Sequence, residues 1–162
     1  MLALASSKGG VGRTTLIVAL AVRAAQRGKR VALIDRDPAE RLASWADRGG
    51  RRANPYLIDI DSTAEALGFP LAELRRPYDL VIIDTPPRML HLIDEAISHA
   101  TFVLIPSRAS PLDLTALDPV IDLCREQKKP YAFVLNAVHP ERKILKKRAR
   151  RRSEERRVGK EC

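Results

Sequence analysis

The chain has 162 residues, 45% apolar and 30% charged, which fits one globular domain with a core of its own and excludes a disordered chain. Its net charge is +9 but aromatic residues are only 4%, which argues against a protein that stacks nucleic-acid bases. No apolar run approaches the roughly 18 residues of a membrane span, no secretory leader pattern is present, and Cys124 and Cys162 make no disulfide framework, as expected in a reducing compartment.

Along the chain, short apolar runs alternate with helical stretches. Strands are predicted at 2–6, 30–35, 56–60, 79–84, 101–106 and 131–136. Most are continuous runs of Val, Ile and Leu, as strands covered on both faces require. Helices are predicted at 14–27, 39–48, 62–74, 89–99 and 112–127, with another starting near Pro140. Gly28, Gly49, Pro77, Pro106 and Pro130 punctuate them. Strand–helix alternation predicts right-handed crossovers and a mostly parallel, twisted sheet with helices on both faces. In such sheets ligands bind beyond the carboxyl ends of the strands. The sequence contains no internal repeat and no linker that would mark a second domain.

The first strand–helix turn carries the strongest motif, Ser7-Lys8-Gly9-Gly10-Val11-Gly12-Arg13-Thr14-Thr15. Glycines there let backbone N–H groups turn around phosphate oxygens, and the helix N-terminus adds its positive dipole end. The Thr14 hydroxyl stands where a Mg²⁺ ligand belongs. Against the pattern G-x-x-x-x-G-K-[ST], Ser7 replaces the first glycine and Arg13 the lysine.

Lys8 turns this loop into Lys-Gly-Gly-Val-Gly-x-Thr-Thr, which resembles the deviant Walker A motif of the ParA/MinD family of ATPases. The resemblance continues in order. Val31 to Pro38, with Asp35 and Asp37, is similar to the family's second-strand motif. Tyr78 to Pro87, with Asp84, is similar to its Walker B strand. Pro106 through Asp113 is similar to the segment after its fifth strand. The likeness covers about residues 1–138. The short lead-in and Trp45 look most like small plasmid-type ParA partition proteins.

The resemblance implies an α/β P-loop NTPase that binds ATP and Mg²⁺ and hydrolyses ATP. Lys8 then corresponds to the lysine that reaches a partner's phosphates across a nucleotide-sandwich homodimer. Asp37 corresponds to the acidic residue that orients the attacking water, the main catalytic task in phosphoryl transfer. Gly9, Gly10, Val11, Gly12, Arg13, Thr14 and Thr15 would cradle the nucleotide. Thr14, Asp35 and Asp84 would serve the metal, with helix capping as the other reading of Asp35. Asn136 would contact adenine or simply terminate its strand. Arg13 keeps the cationic charge on a planar, bulkier fork. Either binding survives while transition-state geometry suffers, or the chain is a natural variant with retuned, slow hydrolysis. The family also implies a ParB-like centromere-binding partner, non-specific DNA contact and a cytoplasmic, nucleoid-associated location, with no membrane expected. The alternative on the same fold is a weakly hydrolysing scaffold that positions a cellulose-synthesis, conjugation or division apparatus.

Most of the charge is terminal. Residues 142–151 hold seven cations and no anion, which leaves 18 cations against 17 anions in the first 141 residues. As a helix, 142–151 would set Lys143, Lys147, Arg150 and Arg151 on one face, for phosphate-backbone contact or for solvent. The last eleven residues, RSEERRVGKEC, resemble the in-frame translation of a common short-read sequencing adapter. The expected organisation is therefore a nucleotide-binding domain at 1–151, truncated at its C-terminus, followed by a non-native tail at 152–162. Gly49 to Arg52 reads as an exposed turn, Cys124 as a core residue, and His91, His99 and His139 lack metal-ligand spacing.

Overall fold

In the computed structural model, which describes residues 1–49, 53–58, 60, 71 and 73–138, the strands form one sheet. The strands are β1 (Leu2–Leu4), β2 (Val31–Asp35), β3 (Tyr56–Leu57), β4 (Leu80–Asp84), β5 (Phe102–Arg108) and β6 (Tyr131–Asn136). Their order is β3-β2-β4-β1-β5-β6, and every pairing is parallel. The helices are α1 (Arg13–Gln26), α2 (Arg41–Arg48), α3 (Leu90–His99), α4 (Pro111–Thr115) and α5 (Asp118–Glu126), with a 3₁₀ turn at Glu73–Arg75. Gly50 to Arg52, most of the predicted 62–74 helix, His139, the helix near Pro140, the 142–151 segment and the 152–162 tail lie outside the described residues.

Side chains alternate across a strand, so each strand feeds two cores. On one face Ala3, Ala5, Ala32, Ile34, Val81, Ile83, Val103 and Ile105 pack against Ile93, Ala96 and Ile97 of α3 and Val120, Ile121 and Cys124 of α5. On the other, Leu4, Val31, Leu33 and Ile82 pack against Ile17 and Ala21 of α1 and Leu42 and Ala46 of α2. Each fully buried Leu or Ile contributes about 1.5–3 kcal/mol. The expected parallel sheet with helices on both faces is thus what forms.

Two predicted boundaries move for reasons of backbone chemistry. The predicted strand 101–106 continues through Pro106 to Arg108. The Val103 N–H points to β6, where it bonds the Pro130 carbonyl at 3.0 Å. Alternation therefore aims the missing N–H of Pro106 at the β1 side, beyond Leu104, the last β5 residue that β1 pairs, so no ladder bond is lost. The predicted helix 112–127 is two helices, α4 and α5. Pro119 has no N–H for the Thr115 carbonyl, and the chain restarts with proline in the first turn of α5.

Register aligns the carboxyl ends. Asp84 lies opposite Asp35 on one side and Leu4 on the other, and Arg108 lies opposite Asn136. The loops after β1, β2, β4, β5 and β6 consequently share one edge of the sheet.

Candidate functional site

Residues 5–12 carry the chain from β1 into α1. Gly10 and Gly12 have φ of 72° and 87°, the left-handed region that side chains with a Cβ rarely enter. Gly12 is the N-cap of α1, no side chain caps the helix, and its first turn has no acidic residue. The loop and helix start thus present backbone N–H groups with the positive dipole end behind them, a surface suited to an anion.

Beneath the loop lies a buried cluster of opposite charges. Asp84 is fully buried and accepts the Thr14 hydroxyl on Oδ2 at 2.8 Å. Burial pushes its carboxyl up to about 6, against the pull of Arg13 and Thr14. Arg13 is buried as well. Its guanidinium donates to the Ser6 carbonyl at 2.7 Å and stands 3.5 Å from Asp84 and 3.8 Å from Asp37. Burial lowers its pKa, while Asp84 and Asp37 oppose that. Arg13 Nε and Asp84 Oδ1 face each other without a hydrogen bond.

Asp35 and Asp37 organise the loop after β2. Asp35 accepts the Asp37 N–H on one oxygen and the Leu42 and Ala43 N–H groups on the other, all at 3.0 Å. It therefore caps α2, the reading kept open beside a metal role. Burial raises its pKa, and those amides hold it back. Asp37 accepts the Ala39 N–H at 3.0 Å and an Arg41 N–H at 3.1 Å. Between them, Arg36 is fully buried and pairs with Glu95 of α3 at 2.9 Å, which pins this loop to the far helix layer.

The outer lip of the loop is tied to later elements. Lys8 forms an ion pair with buried Asp113 of α4, and the Ser7 hydroxyl donates to the Ala116 carbonyl between α4 and α5. Arg108 donates to the Gly10 carbonyl, and the Asn136 amide donates to the Val11 carbonyl at 2.9 Å. Next to the site a cavity of about 490 Å³ opens between α1 and α2, lined by Thr14, Thr15, Val18, Arg41, Trp45 and Arg48 among others.

The fold thus brings Gly9 to Thr15, Asp35, Asp37, Asp84 and Asn136 to one edge, with Lys8 at its lip. Arg13 is directed into the carboxylate cluster below the loop. Asn136 uses its amide N–H on the loop backbone. Sequence reasoning missed Arg36, Arg108 and the acceptor role of Asp113. Asp113 stood in a quoted motif and in the first turn of a predicted helix, the one available signal. Cys124 is buried in the core, with its thiol pushed up to about 12 by burial. Among the described residues no group of three His, Cys, Asp or Glu is arranged to hold a metal, and no helix is long and apolar enough to cross a membrane.

A hard divalent cation would fit here as a shared ligand. Mg²⁺ keeps water and takes phosphate oxygens, so it needs only one or two protein groups. The Thr14 hydroxyl and the buried Asp84 carboxylate, with one oxygen lacking a hydrogen bond, meet that need.

Comparison with known proteins places the chain in a family. The family model described as CobQ/CobB/MinD/ParA nucleotide binding domain matches residues 2–161. The maintenance of carboxysome distribution protein A of Halothiobacillus neapolitanus is 34% identical over 147 residues, covering 86% of this chain and 67% of that protein. The chromosome-partitioning ATPase Soj of Thermus thermophilus is 36% identical over 135 residues, covering 67% of this chain and 54% of Soj. The match thus spans between about half and two thirds of these relatives' length. The structure of pNOB8 ParA bound to nonspecific DNA superposes with a TM-score of 0.77 at 21% identity, covering 99% of this chain and 75% of that one. At that identity the likeness is one of fold.

Proposed function

The chain belongs to the CobQ/CobB/MinD/ParA nucleotide binding domain family, and from that premise we propose that it is an ATP-dependent dimerising ATPase switch that partitions DNA or another large cargo. The observation that carries this reading is the pairing of the Thr14 hydroxyl with buried Asp84 directly below a glycine loop that opens α1. A phosphate on the loop would then lie beside the two groups suited to its metal.

In this reading the loop amides and the α1 N-terminus bind the phosphate chain of ATP. Bound Mg²⁺ would supply charge neutralisation of the phosphates, with Thr14 and Asp84 as its protein-side holders. Asp37 orients the attacking water and accepts its proton on a carboxylate oxygen. Asp35 and Arg36 act through Asp37, by fixing the loop that carries it to α2 and α3. Lys8 leaves Asp113 when a second copy presents its phosphates, so dimerisation and nucleotide state are linked. Partners of this cycle would be non-specific DNA, as in the ParA structure, and a ParB-like protein that stimulates hydrolysis. The carboxysome relative extends the cargo class beyond DNA.

One observation favours a slower variant of the same switch. Arg13 is held by Ser6, Asp84 and Asp37 at once, so its charge is engaged by the protein before any phosphate arrives. A nucleotide-binding scaffold with very slow hydrolysis is therefore the second reading.

The test is binding of a fluorescent ATP analogue to the full chain, with and without Mg²⁺, together with phosphate release from ATP, in wild type and Asp37→Ala. The partition switch predicts Mg²⁺-dependent binding in both proteins and turnover in wild type alone. Binding in both with equal, negligible turnover selects the scaffold. Absence of binding at millimolar nucleotide overturns both.

A further inference from the structure

We propose that Arg108 and Asn136 form a clasp that presets the glycine loop for phosphate before any ligand is present. Both are positioning residues. The clasp concerns loop geometry, while its use for phosphate rests on the nucleotide-binding reading above.

The two residues end neighbouring strands and lie opposite one another in register. Adjacent strands stand about 4.8 Å apart, a spacing that suits two consecutive carbonyls of a loop above them. Arg108 donates to the Gly10 carbonyl, and Asn136 donates to the Val11 carbonyl at 2.9 Å. In a trans peptide the C=O and the following N–H point in opposite directions. Drawing the Gly10 carbonyl toward Arg108 therefore turns the Val11 N–H the other way, and drawing the Val11 carbonyl toward Asn136 does the same for the Gly12 N–H. Among the described residues neither of those two amides has a hydrogen-bond partner. Two strand-end side chains thus turn two adjacent amides away from the clasp, free to meet anionic oxygens.

The fit against Asn136 is close. A Cβ added at Gly12 would collide with the Asn136 amide nitrogen, and one at Gly10 would come 3.6 Å from the Arg108 guanidinium. Holding the amides in place beforehand reduces the ordering that binding would otherwise have to supply. Arg108 is exposed and Asn136 half-buried, so both can be shortened with little effect on the core.

The experiment uses the full chain free of nucleotide. Backbone ¹⁵N order parameters for Val11 and Gly12 are measured in wild type, Arg108→Ala, Asn136→Ala and Arg108→Lys, and each protein is titrated with ADP. The clasp predicts rigid amides in wild type, with order parameters near 0.85, and values below about 0.6 in the alanine variants. ADP affinity falls about two- to tenfold in those variants, the loss expected for one net hydrogen bond. Arg108→Lys, which keeps a donor, restores most of both quantities. Order parameters unchanged by the alanine substitutions overturn the proposal, whatever ADP does. Loss of affinity with a rigid loop would mean that the two side chains touch the ligand directly. A wild type that fails to bind ADP, while the alanine variants still loosen the loop, would remove the nucleotide reading and leave the clasp standing.

Discussion

Replacing Asp84 by asparagine should make the nucleotide-free protein more stable at neutral pH. Asp84 is fully buried, takes one hydrogen bond from Thr14 on Oδ2, and has none on Oδ1. Its carboxyl is pushed from the ordinary 3.8 to about 6 by burial. The folded chain therefore retains a proton between pH 4 and 6 that the unfolded chain has lost. Stability from this group is fully present below pH 4 and is lost as pH rises through 6. The gap, at about 1.36 kcal/mol per pH unit, amounts to about 3 kcal/mol at pH 7. Asparagine keeps the shape and an acceptor for Thr14 without the charge. It also takes one carboxylate away from Arg13, so the expected net gain is about 1–3 kcal/mol. Urea unfolding of wild type and Asp84→Asn, nucleotide-free, from pH 4 to 8 reads the effect. Asp35, also raised by burial, is common to both chains and cancels in the difference. A stability difference that does not change between pH 4 and 8 would refute the reasoning. Mg²⁺ with ADP should stabilise wild type and leave Asp84→Asn nearly unmoved.

Arg13→Lys should lower nucleotide-free stability by about 1–2 kcal/mol, because one ammonium cannot serve Ser6, Asp84 and Asp37 from the same position. The same change should raise phosphate release per bound ATP, and a drop in release would count against an arginine tuned to slow hydrolysis. Asp35→Ala removes two amide contacts at the start of α2 and one in the loop before it, and should cost about 1–2 kcal/mol, read by thermal unfolding. A neutral outcome would mean that the loop after β2 finds other partners. Lys8→Ala should leave folding nearly intact, since the lysine side chain is 42% exposed, yet abolish ATP-dependent self-association in sedimentation. Dimers that persist would assign the sandwich contact to another residue.

Much of the architecture was readable because β2 and β4 are continuous apolar runs, and such runs need helices on both sides. The loop at 7–15 was equally readable, since its glycines stand where positive φ is required. The direction of Arg13 was not. A cation after a glycine loop reads as a phosphate ligand, whereas here two buried carboxylates, one in the loop after β2 and one ending β4, draw it inward. Those carboxylates were each named, but their common approach to Arg13 depends on a register that periodicity does not encode. Arg36 stands between two aspartates with no local sign of burial. Its burial follows from Glu95, 59 residues away, and no local pattern announces such a pair. Arg108 was missed for the same reason, its partner Gly10 being 98 residues distant.

The interruption between α4 and α5 has a consequence beyond shape. In an unbroken helix the Ala116 carbonyl would accept the N–H of Val120. Pro119 prevents the register from running through, and Val120 turns to the Leu117 carbonyl and leaves the Ala116 oxygen to another donor. It is this oxygen that receives the Ser7 hydroxyl. A proline that looks like a defect in one element therefore supplies the mooring point of another, and the position of the glycine loop is tied to a residue more than a hundred positions downstream. Healing the helix would cut the mooring, so a substitution chosen to improve local helicity at 119 would loosen the loop at the opposite end of the chain.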